Sequence, residues 1–443
     1  MKLWDKGYSV DDKIDQFTVG LDREMDLYLA PYDVMGTMAH ITMLESVGLL
    51  QKDELDILLK ELKNIYQIAC EGKFVIEEGI EDVHSQVELM LTRKLGDVGK
   101  KVHSGRSRND QVLLDLKLYA RAEIEDLVGR MRKLFDVLQQ KSEQYKNVLI
   151  PGYTHLQVAM PSSFGLWFGA YAESLTDDML MMEAAWKVTN QNPLGAAAGY
   201  GSSFPLNRTM TTKLLGFDDL DYNVVYAQMG RGKTERIISF AIASLAETIG
   251  RLAFDGCMYT SQNFGFLHLP KQMTTGSSIM PHKKNPDVFE LIRAHCNKMQ
   301  GVSNTIRLIT GNLPSGYFRD MQIIKEVFIP VFNEMKDCLD ITAYAIENIE
   351  VVEGVMNDPK YKYAFSVEEV NRLANEGMPF RDAYKHVGMA IERGEFEFHG
   401  EINHTHEGSI GNLCTAQIKA KMDATMGRFT FGNVHKAVES LTK

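Results

Sequence analysis

Cysteine is scarce in this chain of 443 residues, which contains five cysteines at wide spacings. Their number is odd, and no CxxC or similar pair occurs, so neither a disulfide framework nor a common metal-binding or redox motif is indicated. We interpret the cysteines as buried thiols in a reducing, cytoplasmic compartment.

Positive charge is also in deficit, because the formal net charge is -11 at pH 7. Nucleic acids and anionic membrane surfaces are bound through basic patches, so this balance argues against both as partners. The sequence shows no basic and then apolar leader, and no uncharged apolar run approaches the roughly 20 residues that span a bilayer. We therefore expect no nucleic-acid partner and no membrane span.

Proline is absent from residues 32–150. Because proline interrupts helix interiors, so long a gap permits long helices. Within it, apolar residues from Leu116 to Leu138 recur at steps of three and four, which is the period of one helix face. Asn109 and Asp110 are suited to cap the start of this helix. The pattern predicts a helix that runs to about residue 145.

The rest of the chain is also helical in pattern, and strand-like alternation is scarce. We predict an all-α fold of three helical domains: residues 1–105, a central bundle of five long helices at 106–356, and residues 357–443. The four further long helices are predicted at 164–188, 234–263, 286–309 and 326–350. We interpret EFEFHGEINHTHEG at 395–408 as a short hairpin or a loop.

In such a chain, chemistry is expected where helices end and polar residues cluster. The first polar cluster is KVHSGRSRNDQV at 101–112. It places Ser107, Arg108 and Asn109 at the start of the long helix, where backbone N–H groups and the helix dipole favour an anion. Arg108 adds a side chain that is suited to clamp a carboxylate. A solvated, capped helix start is the alternative interpretation.

The second polar cluster is PGYTHLQ at 151–157. Here His155 follows what we interpret as a rigid Pro-Gly turn, and Thr154 and Gln157 lie beside it in sequence. A single histidine is more often a hydrogen-bonded core residue than a catalytic one, so both interpretations stay open.

The third polar cluster is EDVHSQVE at 81–88, which contains Asp82 and His84. Residues two apart do not share a helix face, so these side chains point the same way only in a turn. A surface loop is the alternative interpretation.

The fourth polar cluster is TTGSSIMPHKKNPDVFE at 274–290. Ser277 and Ser278 offer hydroxyls beside a glycine, and Lys283 and Asn285 are suited to hold a carboxylate. A hydroxyl held near cations and helix-end donors has its alkoxide form stabilised, and such an alkoxide can take a carbon-bound proton. A phosphate cradle is disfavoured because neither GxxxxGK[ST] nor a strand followed by GxGxxG is present.

The segment GSSIMPHKKNP closely resembles the GSSxMPxKxNP motif of the fumarase/aspartase superfamily. HSGRSRNDQV, PGYTHLQ, NLPSGYFRDMQ and GMPFRDAYKHVG are similar to segments of the argininosuccinate lyase family in particular. The likeness covers nearly the whole chain. It implies a homotetramer with a twenty-helix core, active sites built from three subunits, and cleavage of argininosuccinate to arginine and fumarate with no cofactor and no metal.

The resemblance also implies roles for individual residues. Ser277 matches the base that removes the β-proton of the succinyl part, and Lys283 and Asn285 match groups that hold the carboxylate of the carbanion intermediate. His155, with Glu290 as its charged partner, matches the histidine that is associated with proton donation to the leaving guanidinium. The further substrate-binding positions that it implies are Ser107, Arg108, Asn109, Thr154, Asp82, His84, Tyr317, Gln322 and Lys325.

Several segments depart from the family pattern. MGRGKTER at 229–236 stands where the family has SDRD, and GAAAGYGSSFPLNR at 195–208 follows its counterpart loosely. Met160, Phe318 and His282 are also unusual. We hypothesise that these changes reshape the pocket for the leaving group, so the alternatives are a lyase for N-acylated argininosuccinate or for adenylosuccinate. A non-catalytic structural protein is disfavoured because the elimination motif is complete.

Overall fold

The computed structural model describes residues 11–443, and over that range the chain forms eighteen α-helices and eight short strands. The predicted all-α class is confirmed. The first ten residues of the predicted N-terminal domain lie outside the described range.

The N-terminal part of the described chain packs around helix α3. Its helices are α1 Asp12–Val19, α2 Asp22–Asp26, α3 Ala30–Ser46, α4 Lys52–Cys70, α5 Val83–Leu95 and α6 Asp97–Lys100. Helix α4 is amphipathic, and its leucines Leu55, Leu58 and Leu62 face a core that α3 lines on its other side. Gln51 and Glu54 close a capping box at its start.

The central bundle contains the long helices that the apolar periodicity predicts. Its helices are α7 Arg108–Gln144, α8 Phe164–Thr189, α9 Arg208–Leu214, α10 Val224–Met229, α11 Lys233–Tyr259, α12 Asp287–Met299, α13 Val302–Ile309 and α14 Ile324–Asn348. Helix α7 is roughly 55 Å long at 1.5 Å per residue. It packs along α8 and α14, and its first turns also contribute Leu114 and Leu118 to the N-terminal core.

The prediction of a single helix at 286–309 is wrong, because the segment forms two helices. Helix α12 ends at Met299, and α13 begins at Val302 after Gly301. Glycine costs about 1 kcal/mol relative to alanine inside a helix, which favours a break there. Pro286 is the residue before the first turn of α12.

A β-hairpin carries the second polar cluster. Strand β1 (Leu149–Thr154) pairs with strand β2 (Gln157–Ser163) in antiparallel register. The interpretation of Pro151-Gly152 as a turn is wrong, because both lie within β1 at an irregularity in the register. The turn is instead made by His155 and Leu156, both with positive φ (54° and 57°), as a two-residue hairpin loop requires.

The other strands are two-residue pairs that tie loops together: β3 Gln191–Asn192 with β4 Asp219–Leu220, β5 Leu267–His268 with β8 Glu350–Val351, and β6 Thr275–Gly276 with β7 Lys284–Asn285. The last pair closes the base of the loop at residues 277–283, so it sets the position of the fourth polar cluster.

The C-terminal helices are α15 Ser366–Asn375, α16 Phe380–Glu392, α17 Thr415–Met426 and α18 Phe431–Thr442. Residues 395–408 form a loop and contain none of the strands found in the described chain. Helix α17 contributes Ile418 and Met422 to the central core, and α18 contributes Leu441 to the N-terminal core. The last two helices therefore pack back on the rest of the chain, and the predicted boundaries at 105 and 356 stay predictions.

Helix α11 is the one described helix with the length and hydropathy of a membrane span. More than half of its most apolar window is buried inside the protein. Ile238, Ile242, Leu245 and Ile249 all belong to the central core. Its apolar character is therefore that of a helix at the centre of a bundle.

The close packing of α11 against α12 leads to a stability prediction. A Cβ at Gly256 would lie 2.9 Å from the ring of Phe289, whereas a Cβ at Gly129 in α7 would meet nothing within 4 Å. We expect Gly256→Ala to lower the free energy of unfolding by roughly 1–3 kcal/mol. Gly129→Ala is the matched control and should raise it by up to about 1 kcal/mol. Thermal denaturation of both variants tests this, and a Gly256→Ala protein as stable as wild type contradicts the packing.

Candidate functional site

A cavity of about 210 Å³ lies where α5, the start of α7 and the segment before α14 meet. Seven of the fourteen predicted site residues line it: Asp82, His84, Arg108, Asn109, Tyr317, Gln322 and Lys325. They come from three separate polar segments of the sequence. The fold therefore gathers these segments into one polar pocket.

The start of α7 is held by a capping box and by a second loop. Ser107 is the cap, and its Oγ accepts a hydrogen bond from the N–H of Asn109. Asp110 accepts from the N–H of Ser107 and, through its other oxygen, from the N–H groups of Gly195 and Ala197. Burial raises the pKa of Asp110 to about 6, against the effect of these hydrogen bonds. The buried carboxylate thus ties the cavity-facing end of α7 to the divergent 195–208 segment.

Asp82 and Arg108 meet at the wall of the cavity. Asp82 caps α5 by accepting from the N–H of Ser85, and its Oδ2 lies 3.0 Å from Nη1 of Arg108. The same Nη1 donates to Glu81 at 3.1 Å. Burial raises the pKa of Asp82, but His84 and Arg108 outweigh it, so the net shift is downward. Asp82 is therefore a carboxylate that fixes the guanidinium of Arg108.

His84 is buried between two carboxylates. Its Nδ1 lies 2.7 Å from Oδ1 of Asp33 and 3.6 Å from Oδ2 of Asp115. Burial lowers the pKa of His84, but Asp33 and then Asp115 outweigh it and raise the pKa to about 10. The ring is therefore an imidazolium at neutral pH, behind Asp82.

The group Asp33, His84 and Asp115 has the spacing of a metal site, the one such group among the described residues. A metal ligand must be a neutral imidazole with a free lone pair. Here the ring keeps its proton chiefly because the Asp33 carboxylate lies beside it, while burial and Asp33 raise the pKa of Asp115 well above its usual value. The proton already supplies the positive charge, so these residues fit an ion pair better than a metal.

Lys325 is matched by carboxylates that the sequence analysis did not anticipate. Its Nζ lies 2.5 Å from Oδ1 of Asp26 and is also paired with Asp22. Asp26 in turn accepts from the N–H of Val83 at the start of α5. Burial and the neighbouring Asp26 raise the pKa of Asp22 to about 6. Lys325 is therefore one member of a buried charged group, and it is not a free cation.

The mouth of the cavity is formed by residues 317–323. Gln322 donates to the carbonyl oxygens of Thr18 and Val19 through its Nε2. Arg319 donates to Glu81 at 2.7 Å and is half-exposed. Tyr317 lines the cavity from the same segment.

Six cavity residues were missed by the sequence analysis: the apolar Val112 and the charged Asp22, Asp26, Glu81, Arg231 and Arg319. A signal was present for Asp22 and Asp26, because carboxylates four residues apart share one helix face. For Glu81, the signal was its position beside Asp82. For the two arginines, the signal was their position in MGRGKTER and NLPSGYFRDMQ, two segments that the sequence analysis singled out without choosing these side chains.

The other predicted residues lie outside this cavity. Thr154 and His155 are exposed at the tip of the β1–β2 hairpin. Lys283 and Glu290 are exposed, and Asn285 is half-buried beside Thr275. In the described chain no hydrogen bond or ion pair joins His155 to Glu290. Within one chain, therefore, the predicted catalytic residues lie on surfaces that are separate from the cavity.

Ser277 has a distinct environment within its loop. Its Oγ accepts hydrogen bonds from the N–H groups of Met280 at 3.1 Å and Ile279 at 3.3 Å. Two N–H donors on one oxygen favour a negatively charged form of that oxygen. No hydrogen bond of the Ser278 hydroxyl occurs in the described structure. The geometry therefore makes the Ser277 hydroxyl better suited than that of Ser278 to carry negative charge.

A buried histidine supports the 101–112 segment from α3. The Nε2 of His40 lies 2.8 Å from the carbonyl oxygen of Ser104. Burial, with the positive charge of Arg106, holds the pKa of His40 well below its usual value. The folded protein thus keeps His40 neutral where the unfolded chain would protonate it.

Comparison with known proteins places this geometry in a family. The family described as Lyase matches residues 9–301. An argininosuccinate lyase of Parabacteroides distasonis is 67% identical over 440 residues, which is 99% of each chain.

Two solved structures share the fold. EDDS lyase in complex with formate has a TM-score of 0.75 at 21% identity, covering 98% of this chain and 94% of that one. Class II fumarase from Schistosoma mansoni has a TM-score of 0.72 at 17% identity, covering 86% and 89%. At these identities the likeness shows the fold alone.

The neutral state of His40 leads to a pH prediction. Because the folded pKa is lowered, the stability that depends on neutral His40 is present above about pH 6.5 and is lost as the pH falls. Between about pH 7.5 and 5.5 the loss should be about 1.4 kcal/mol. We expect the melting temperature of His40→Gln to fall less over this interval than that of wild type. The exposed His386→Gln serves as the control, and equal falls in all three proteins contradict the prediction.

Proposed function

Because the chain belongs to the argininosuccinate lyases, within the fumarase/aspartase superfamily, we propose that it cleaves argininosuccinate to arginine and fumarate by a cofactor-free β-elimination. The observation that carries this proposal is the 67% identity to an argininosuccinate lyase over 99% of both chains. All four polar clusters lie inside that alignment. The protein is thus a carbon–nitrogen lyase.

The elimination begins with loss of a proton from carbon. We assign this step to the Ser277 alkoxide, whose negative charge is supported by the two N–H donors of its own loop. The electron pair left on carbon delocalises into the adjacent carboxylate of the substrate. Lys283 and Asn285 lie six and eight residues further on, and they are assigned to hold that carboxylate as it gains charge.

Departure of the guanidine then completes the reaction. The carbon–nitrogen bond breaks, the double bond of fumarate forms, and the nitrogen takes up a proton. We assign proton donation to His155, with Glu290 as its partner when two chains meet. His155 is exposed at the two-residue turn, which suits a role in a neighbour's site.

The arginine end of the substrate is assigned to the cavity. Its amino and guanidinium groups are cations, and the carboxylates of Asp22 and Glu81 line the cavity. Its carboxylate is an anion, and we assign it to Tyr317, Gln322 and Arg319. Gln322 and Arg319 would exchange their present acceptors, the carbonyls of residues 18–19 and the Glu81 carboxylate, for the substrate. Binding of both ends would align the succinyl part across the start of α7, beside Ser107 and Asn109.

The separation of binding cavity and reactive loop supports an oligomer. We propose a homotetramer in which the bundle helices of four chains form a twenty-helix core and three chains build each site. Large apolar side chains are exposed on those helices, as expected of surfaces that pack against other subunits: Leu180, Met181, Phe240, Phe254, Leu291 and Leu308. With its five free thiols, this enzyme suits the cytoplasm.

The role of Ser277 is open to a direct test. Ser277→Ala should lower kcat by roughly 10²- to 10⁴-fold, because proton abstraction loses its base. Ser278→Ala is the matched control in the same loop and should retain most activity. Fumarate release, followed by its ultraviolet absorbance, measures both variants. A Ser277→Ala enzyme with near-normal turnover contradicts the assignment, provided that its melting temperature equals that of wild type.

Sharing of active sites between chains has its own test. Ser277→Ala and Asn109→Ala should each be inactive alone. If Ser277 and Asn109 of one site come from different chains, a hybrid tetramer of the two variants contains some sites in which both residues are unchanged. Mixing after reversible dissociation is expected to restore up to about a quarter of wild-type activity. The pair Ser277→Ala and Lys283→Met is the control, because both changes lie in one loop and no hybrid site escapes both. Absence of recovery in the first mixture contradicts shared sites.

A further inference from the structure

A second cavity, also of about 210 Å³, lies between the start of α11 and residues 310–316. Three basic side chains line it: Arg231, Lys233 and Arg236. Its lining contains no aspartate and no glutamate. In a chain of net charge -11, such a concentration of positive charge calls for a counter-charge.

Arg236 is the least compensated of the three. Its Nε is buried and has no hydrogen-bond partner in the described structure. Lys233 is exposed and lies over the ring of Tyr226, 5.5 Å from its centroid, without a carboxylate partner in the same range. A buried guanidinium nitrogen without an acceptor has lost its hydration without compensation, so a ligand that accepts from it offsets that cost.

Arg231 has a different role, because its charge is already matched. Its Nε lies 2.8 Å from Oε1 of Glu235, and its Nη2 donates to the carbonyl oxygen of Met321 at 3.0 Å. Arg231 lines both cavities. It is therefore a fixed wall between the substrate cavity and the second one.

The backbone around the second cavity is also closely fitted. Gly232 has φ of 77°, and its N–H donates to Glu235 at 2.7 Å. A Cβ at this position would lie 2.5 Å from Cγ2 of Thr310. Only glycine allows the first turn of α11 to approach residues 310–316 so closely, and the positive end of a 27-residue helix then faces the same space.

We propose that this second cavity binds a small oxyanion through Arg236 and Lys233. Phosphate or a carboxylate has acceptor oxygens that match a guanidinium and an ammonium group. The anion is either free phosphate or a free carboxylate, or it is a carboxylate group of the substrate. Only the substrate carboxylate rests on the proposed function. The segment at 229–236, which departs from the family pattern, supplies all three basic residues. On this proposal the departure creates the anion site.

Inorganic phosphate is the probe for this site. At constant ionic strength, the melting temperature of the whole protein is followed as phosphate is added. Because the folded state gains RT ln(1 + c/Kd), where c is the phosphate concentration, the curve gives the phosphate concentration that half-saturates the site. Arg236→Gln should raise that concentration about tenfold or more, because it removes a charge-assisted hydrogen bond to the anion. Lys233→Met should raise it by a smaller factor. Arg381→Gln removes an exposed arginine far along the chain and should leave it unchanged.

The location of the anion is tested by a variant of the other cavity. Arg319→Gln removes a cation from the substrate cavity only, and the phosphate response should survive this change. If Arg319→Gln abolishes the response while Arg236→Gln retains it, the proposal is overturned. It is also overturned if phosphate gives wild type no rise in melting temperature at all.

Kinetics then separate the two sources of the anion. Phosphate that raises KM for argininosuccinate without changing kcat, in wild type but not in Arg236→Gln, identifies a subsite for a substrate carboxylate. Phosphate that stabilises the protein without competing identifies a free anion. Fumarate release without phosphate is measured separately, so a protein that responds to phosphate but releases no fumarate counts against the proposed function alone.

Discussion

Buried charges that must find partners hold the candidate site together. Removing a carboxylate or an ammonium group from water costs several kcal/mol, and only an opposite charge with good geometry offsets this cost. Asp33, His84 and Asp115 meet this demand on one side of the cavity, and Asp26 and Lys325 meet it on the other. The first group joins α3, α5 and α7, and the second joins α2 to α14, so the position of each helix is constrained by the charges of its partners.

The same constraint gives the cavity fixed walls. Asp82 is held by the N–H of Ser85 and in turn holds Arg108, while Asp110 holds the backbone of the segment that presents Ser107. Groups in such a network do not need to reorganise when a substrate arrives, which favours binding of a particular charge pattern. The loop at residues 277–283 has the opposite character, since it is mostly exposed and is paired only at its base.

Much of the fold was predictable because helices depend on local periodicity. The apolar spacing from Leu116 to Leu138 and the gap in proline predicted α7 almost to its ends. The break after Met299 was missed because a single glycine is a weak signal. The turn at His155 was misplaced because Pro-Gly is common in turns, yet pairing of β1 with β2 overrode this preference. For the site, the four clusters were recognisable as polar, but their partners were not.

The sequence by itself determined the helical class, the positions of the polar clusters and, through its motifs, the chemistry to expect. These are properties of neighbouring residues, and neighbours along a chain are always close in space. Only the tertiary structure decided that Lys325 is matched by Asp26, that His84 is an imidazolium, and that Arg231 separates two cavities. Those outcomes depend on burial and on distances of a few ångströms between residues far apart in sequence. The reason is that the surrounding groups decide whether the charged form of a side chain is stable.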